Sequence, residues 1–268
     1  MPLIKDILRK TVPEGPIKNV MRYFYHKINA DGFDIKYSII KKSFRLKFRE
    51  GNLKGKSIEL PYCSLKLLLG VQKAFSEYLS FGKISKDTII VDSGAYPGDF
   101  TIVAAQMADR VIAIEPDPYN RDYLKKVVNL NGISGKVEIV GYGLSDKNGN
   151  AYLLPELKSS KICNPKDYNP DLLVQIKTIT LDSLLEERNL LGNSNNLFVK
   201  MDIEGEEVNA IKGATKTIEH GAKFVIAAYH LYDGQQTIIP LEKMFKEKGY
   251  SVLRVNPQHL TLIASPTY

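Results

Sequence analysis

The residues best placed to do chemistry begin at Val91-Asp92-Ser93-Gly94-Ala95-Tyr96-Pro97-Gly98 and resume at Glu115-Pro116-Asp117-Pro118. An apolar run from Thr88 to Val91 ends in an acid, and a second from Val111 to Ile114 ends in another. Asp92 and Glu115 stand 23 residues apart, a spacing that one strand-helix-strand unit spans. In a parallel sheet the carboxyl ends of such strands face the crevice where nucleotide-like ligands sit. Glycine lets a ligand approach the main chain closely, and the following helix starts with amides that attract negative charge. A carboxylate ending the second strand accepts hydrogen bonds from ribose hydroxyls. The GxGxxG of a pyrophosphate-binding turn is absent, and so is GxxxxGK[ST]. An adenosine ligand without a pyrophosphate suits this loop, and S-adenosylmethionine is the natural candidate. The plain alternative is a βαβ unit whose loop only turns the chain.

The elements that position these residues alternate along the chain. Residues 1–35 carry helix-like stretches broken by Pro13, Pro16 and Gly32, and residues 36–60 read as a hairpin turning at Glu50-Gly51-Asn52. The apolar spacing from Ser64 to Leu79 predicts one or two helices. Strands are expected at 88–92, 111–114, 137–140, 197–201 and 224–228. Helices are expected at 100–107, 118–130, 206–218 and 239–248, with a short one after the cap Thr180. Residues 141–146 read as an exit loop, and the Pro-, Asn- and Lys-rich segment 151–175 as an insertion with little regular structure. The runs 250–255 and 259–264 read as a closing antiparallel hairpin. The domain reading is a basic N-terminal extension, 1–80, followed by a nucleotide-binding-type domain, 81–268.

The chain has 268 residues, 44% apolar and 25% charged, ordinary values for a soluble globular protein. No apolar run approaches the length of a membrane span. The first residues lack a signal-peptide core, and Cys63 and Cys163 are far apart and outside any CxxC unit. A cytoplasmic location with free thiols is the expectation. The net charge of +7 is uneven, since residues 1–60 hold 14 Lys/Arg against 6 Asp/Glu. Phe44, Leu46 and Phe48 alternate with Arg45, Lys47 and Arg49, as in a strand with one basic face. That face suits a phosphate-rich or acidic partner, or is simply solvated; the solvated reading is the preferred one.

The order of several blocks resembles the FkbM family of S-adenosylmethionine-dependent methyltransferases. They are Val91 to Gly98, Ile114 to Pro118, Asn129-Leu130-Asn131, Gly143-Leu144-Ser145-Asp146, Lys200-Met201-Asp202-Ile203-Glu204-Gly205-Glu206-Glu207 and Ile211-Lys212-Gly213-Ala214. The resemblance covers roughly residues 77–230. It implies a Rossmann-like class I methyltransferase fold, an α/β protein with a seven-stranded, mostly parallel sheet whose last strand is antiparallel. It implies S-adenosylmethionine as cofactor, with Asp92, Gly94, Tyr96 and Gly98 shaping its methionine side. Glu115 and Pro116 would lie at the ribose, and Tyr142, Gly143, Leu144 and Asp146 beside the adenine. Glu77-Tyr78 corresponds to a further cofactor-contacting element. The substrate class implied is a hydroxyl on a sugar or other small metabolite.

Methyl transfer to a hydroxyl needs a general base, a metal or very tight positioning. Asp202 is expected at the tip of its strand, and Glu204 in the loop is the first choice for the base or for binding the substrate hydroxyl. Glu206 and Glu207 fall in the first turn of a helix, where acids are favourable for structural reasons. Lys200, inside an apolar strand, needs a partner, and Asp202 or Glu204 would supply it. His230 ends the next strand and is either a proton shuttle or a hydrogen-bonded loop residue. Family members commonly carry a Glu just before this histidine, where this chain has Ala227-Ala228. His26, His220, His230 and His259 lack ligand spacing; Asp202 and Glu204 with a third oxygen ligand could hold a magnesium ion, but two nearby acids are common by chance, so no essential metal is predicted. Two other readings stand beside this one. A nucleic-acid methyltransferase would use the basic N-terminal region, but no N-P-P-[YF] motif follows the fourth strand. A non-catalytic nucleotide-binding module would dock a partner through the N-terminal region. Nothing in the sequence bears on oligomeric state.

Overall fold

The computed structural model describes residues 18, 19, 23, 32–51, 53–61, 84–156, 159–255 and 260–267. The helices expected between 64 and 79, and the Glu77-Tyr78 element, lie outside the described residues.

The first described strands, β1 (Phe33–Ser38), β2 (Ser43–Phe48) and β3 (Ser57–Leu60), form an antiparallel three-stranded sheet in that order. The sequence reading of one hairpin is thus corrected to a meander, whose first turn falls at residues 39–42. The alternation in β2 holds: Phe44, Leu46 and Phe48 are buried and Arg45 and Lys47 exposed. Arg45 pairs with Glu59 at 3.1 Å and Arg49 with Asp34 at 2.6 Å, so part of the basic face is neutralised within the sheet.

The central sheet follows. Strand β4 (Ile89–Ser93) leads to helix α1 (Asp99–Met107), β5 (Arg110–Ile114), helix α2 (Pro118–Leu130) and β6 (Val137–Val140). All five residues of β4 are buried, as expected of a parallel strand covered on both faces. Helix α2 starts where it does because Pro118 suits the first helical position and Asp117 accepts the amides of Tyr119 and Asn120.

Next come β7 (Tyr142–Leu144), β8 (Gly149–Leu154), β9 (Lys161–Cys163) and β10 (Val174–Ile179). They build a four-stranded sheet in the order β7-β10-β8-β9. This corrects the expectation of an irregular insertion and of a plain exit loop. The alternation Val174, Ile176, Thr178 was the available signal, and it was obscured by the polar residues around it.

Helix α3 (Leu181–Glu186) is capped by Thr180, whose hydroxyl accepts the Ser183 amide. Strand β11 (Leu197–Met201) is wholly buried. The single helix expected at 206–218 is two, α4 (Glu207–Lys212) and α5 (Thr215–Glu219). The break has a local cause. Asp182 accepts the amides of Lys216 and Thr217 at 2.9 and 2.8 Å, which caps a new helix start. Gly213 packs so tightly that a Cβ there would meet Ser145 O at 2.3 Å.

Strand β12 (Lys223–Ala227), the small pair β13 (Leu231–Tyr232) and β14 (Gln235–Gln236), helix α6 (Ile238–Glu247), β15 (Tyr250–Val255) and β16 (Thr261–Pro266) complete the chain order. The seven-stranded sheet runs β15-β16-β12-β11-β4-β5-β6. The neighbours from β12 to β6 are parallel, and β16 is antiparallel to both β12 and β15. This is the Rossmann-like class I architecture.

Successive side chains point to opposite faces, so the sheet separates two cores. Ile90, Val111, Ala113, Phe198 and Val225 pack with α1, α2 and the β1–β3 sheet. Val91, Ile112, Val199, Met201 and Ile226 pack with α3 to α6. Asn131 bonds both backbone groups of Ser57, at 2.9 and 2.7 Å, which ties the N-terminal sheet to the end of α2. Among the described residues no helix is long and apolar enough to cross a membrane.

Candidate active site

The strand order reverses between β4 and its neighbours β5 and β11, and ligands of open α/β sheets bind at such a switch point. A cavity of about 620 Å³, its mouth included, opens there.

Gly94 sets the geometry of the first wall. Its φ is +75°, and a Cβ there would lie 1.8 Å from Asp202 O. Only glycine lets the loop after β4 lie against the loop after β11. Lys200 fastens the same junction from within the sheet. Its ammonium donates to Asp92 Oδ1 at 3.0 Å, to Gly94 O at 2.9 Å and to Ser93 O at 3.3 Å. Burial pulls the Lys200 pKa down, but Asp92 and Asp202 outweigh it and the net direction is upward, so the group stays cationic. The lysine's partner is therefore Asp92, correcting the expectation of Asp202 or Glu204. Asp92 itself is fully buried and also accepts the Thr101 hydroxyl at 2.6 Å. It stands behind the cavity wall and holds it in place.

Glu115 forms the next part of the wall and is buried. Its carboxylate accepts the amides of Tyr96 and Asp117 at 3.2 and 3.0 Å. Burial pushes its pKa up to about 7, against the pull of those two amides. Arg121 donates to the carbonyls of Glu115 and Pro116 at 3.0 and 2.9 Å, fixing the backbone that carries the acid. Gly98 acts at the helix packing instead. A Cβ there would meet Val127 at 2.9 Å, so the glycine admits α2 against the start of α1.

Of the residues singled out from sequence, Gly94, Tyr96, Glu115, Pro116, Gly143, Leu144, Asp202 and Glu204 line one cavity. Asp92, Gly98, Tyr142, Asp146 and His230 stand outside its lining. Sequence reasoning missed Asn120, Glu206 and three residues of the second sheet region, Leu153, Ser160 and Ile162. Ser160 donates to Asp117 Oδ2 at 2.8 Å, which draws this roof onto the start of α2.

The acidic end is built by the loop after β11. Glu204 has φ +57°, a left-handed backbone that costs a non-glycine residue about 1–3 kcal/mol. Glu207, the first residue of α4, compensates by accepting the amides of Ile203 at 3.0 Å and Gly205 at 3.1 Å. Its side chain is completely buried, and its Oε1 lies 2.8 Å from His230 Nδ1. That contact is an ion pair without the alignment of a hydrogen bond. The acid that the family carries before the histidine is absent here, but a carboxylate reaches the ring from α4. Reading Glu207 as only a favourable helix-start acid is thus corrected.

His230 Nε2 points to the other side, 3.7 Å from Asp202 Oδ1 and 3.5 Å from Glu204 Oε2. Burial lowers the pKa of the ring, but Glu207, Asp202 and Glu204 together raise it to about 9. Glu206 accepts from Ser145 and Asn209 at 2.7 and 3.0 Å, and burial raises its pKa.

Residues 92–252 match the profile of the methyltransferase FkbM domain. Hexuronic acid methyltransferase AglP of Haloferax volcanii is 28% identical over 145 residues, which cover 54% of this chain and 57% of that protein. An uncharacterised protein of Methanocaldococcus jannaschii is 23% identical over 137 residues, 47% of this chain and 52% of that one. The chain thus spans about half the length of the curated relatives it matches. A solved FkbM methyltransferase structure from Methylobacillus flagellatus superposes with a TM-score of 0.51 at 18% identity, covering 98% of this chain and 58% of that one. That likeness speaks for the fold alone.

Proposed function

The chain belongs to the FkbM methyltransferase family, and from that premise we propose that it methylates a hydroxyl oxygen of a sugar or other small metabolite, with S-adenosylmethionine as donor. One observation carries the reading: Glu115 and the pair Asp202 and Glu204 line the same cavity. A ribose-binding acid and a proton-accepting pair therefore share one space.

The residues fit an adenosyl ligand. Glu115 presents a desolvated carboxylate whose backbone partners come from Tyr96 and Asp117, which suits two vicinal hydroxyl donors. Leu144, Leu153 and Ile162 supply apolar surface for a purine. When bound, the cofactor supplies a methyl group on a positively charged sulfur, open to attack by a nucleophile.

The chain's own residues do the rest. Gly94 and Lys200 hold the loops after β4 and β11 together, which keeps the Glu115 end and the Asp202–Glu204 end in fixed relation. Glu204 or Asp202 accepts the proton of the acceptor hydroxyl. Glu207 holds the 202–206 loop in its strained shape and fixes His230 between itself and the pair. The sugar acceptor draws support from the hexuronic acid methyltransferase among the relatives.

The test is incubation of the purified chain with methyl-labelled S-adenosylmethionine and a panel of hexoses, hexuronic acids and their glycosides, read by mass spectrometry. A labelled ether stable to base is the expected product. A base-labile ester would move the methyl to a carboxylate and overturn the hydroxyl reading. Absence of S-adenosylhomocysteine binding by calorimetry would overturn the methyltransferase reading itself.

A further inference from the structure

The loop after β11 and the residues just beyond β12 bring Asp202, Glu204 and His230 to one point, with one ligating atom from each within 4.8 Å of the others. The separations of 3.7 and 3.5 Å from His230 Nε2 to the two carboxylates are too long for direct hydrogen bonds. They fall within the range spanned by ligands of one ion. Ligands at about 2.1 Å from a cation lie roughly 3.0 Å apart when adjacent and roughly 4.2 Å when opposite.

A second observation is independent of the acids. The His230 side chain is only 10% exposed, and its Nε2 has no hydrogen-bond partner among the described residues. A buried ring nitrogen is aimed into the cluster. Asp202 Oδ1 is likewise buried without a hydrogen-bond partner among the described residues. Behind the ring, Glu207 Oε1 lies 2.8 Å from Nδ1. A carboxylate in that position holds a proton on Nδ1 and leaves the Nε2 lone pair for a metal, the arrangement that orients metal-binding histidines.

We propose that Asp202, Glu204 and His230 bind one divalent cation at the acceptor end of the cavity. Two carboxylate oxygens and one imidazole nitrogen make a mixed set that suits Mn²⁺, with Mg²⁺ as the harder alternative. Three protein ligands leave positions open toward the cavity that Asp202 and Glu204 line. Those positions take water or two neighbouring oxygens of the acceptor, which selects vicinal diols or hydroxy acids over isolated alcohols. That acceptor role rests on the methyl-transfer reading, each carboxylate ligating through one oxygen and keeping the other for the acceptor proton; binding of the ion does not. The sequence offered Asp202 and Glu204 as a pair of oxygen ligands lacking a third, and the fold supplies it as His230, from beyond β12.

The experiment is titration of the full chain with Mn²⁺, following the paramagnetic resonance signal of the free aquo ion. One ion bound per chain is expected. Binding is expected to be lost in His230→Gln and Asp202→Asn, and to weaken about 10–100-fold in Glu207→Gln. His220→Gln is expected to bind like the parent chain, because His220 is exposed and contacts Lys216 O at 2.7 Å. Circular dichroism melts on the same samples establish folding, and Glu204→Gln replaces either ligand variant that does not fold. Full free-ion signal with the parent chain at millimolar Mn²⁺ overturns the site, as does parental affinity in the folded ligand variants. S-adenosylhomocysteine calorimetry on metal-free chain separates the two readings. S-adenosylhomocysteine binding without Mn²⁺ binding overturns the metal site alone, and Mn²⁺ binding without it overturns the cofactor reading alone.

Discussion

Replacing Gly94 with alanine tests the claim that one close backbone approach builds the site. Two effects act together. At φ +75° an alanine pays about 1–2 kcal/mol for left-handed backbone, offset by about 0.4–1 kcal/mol from a stiffer unfolded chain. The new Cβ would also fall 1.8 Å from Asp202 O, so the loops after β4 and β11 must separate by more than an ångström. Forced repacking of that kind costs about 1–3 kcal/mol. The sum is about 1–4.6 kcal/mol, centred near 3, which for a chain of this size lowers Tm by roughly 2–18 °C. Gly132→Ala is the control, because Gly132 has φ +66° with nothing within 4 Å of the added carbon. It carries only the backbone effect, about 1 kcal/mol, or roughly 2–4 °C. Calorimetric melts of the three proteins give the difference, and S-adenosylhomocysteine titration of each folded protein reads the cavity. Equal Tm shifts in the two variants, with ligand binding retained in Gly94→Ala, would refute the reasoning.

Three further outcomes follow from the same geometry. Glu115, with its pKa raised to about 7, holds a proton in the folded chain that the unfolded chain has released. Stability from this group is therefore full below its usual pKa and declines as pH rises toward 7. Ligand hydroxyls donate to the ionised form, so S-adenosylhomocysteine affinity should climb from pH 6 to about 7, then level off; calorimetry over that range should find Glu115→Gln flat. Lys200→Met leaves the buried Asp92 unpaired and should cost about 3–5 kcal/mol, while Asp92→Asn added to it recovers part of the loss in a double-mutant melt cycle. Glu204→Gln should lower turnover about 10²–10⁴-fold with S-adenosylhomocysteine affinity little changed, and unchanged turnover would remove Glu204 from the proton-accepting role.

Much of the frame was legible in the chain itself. The strands around Val91, Ile112 and Val199 announce themselves as short apolar runs, because parallel strands covered on both faces have no solvent side to encode. Asp117 with Pro118, and Thr180 before Leu181, mark helix starts through bonds that span two or three residues. Acids at strand ends identify the crevice, because period and polarity change at the same point. The wall residues Gly94, Glu115 and Asp202 were found this way.

What tertiary structure decided are the partners that no local pattern records. Lys200 meets Asp92 across neighbouring strands, 108 residues apart in sequence. The sequence spacing favours Asp202 instead, but the parallel register sets Lys200 directly beside Asp92 of β4. Glu207 was legible as a helix-start acid, but not as the group that clamps the 203–205 backbone and backs His230. The strands of 149–179 were hidden because their pairing is with one another, β10 joining β7 on one side and β8 on the other. Local sequence sets which backbone shapes are cheap. Which charges share a buried space depends on strand order and register, and these are fixed only when the whole sheet closes.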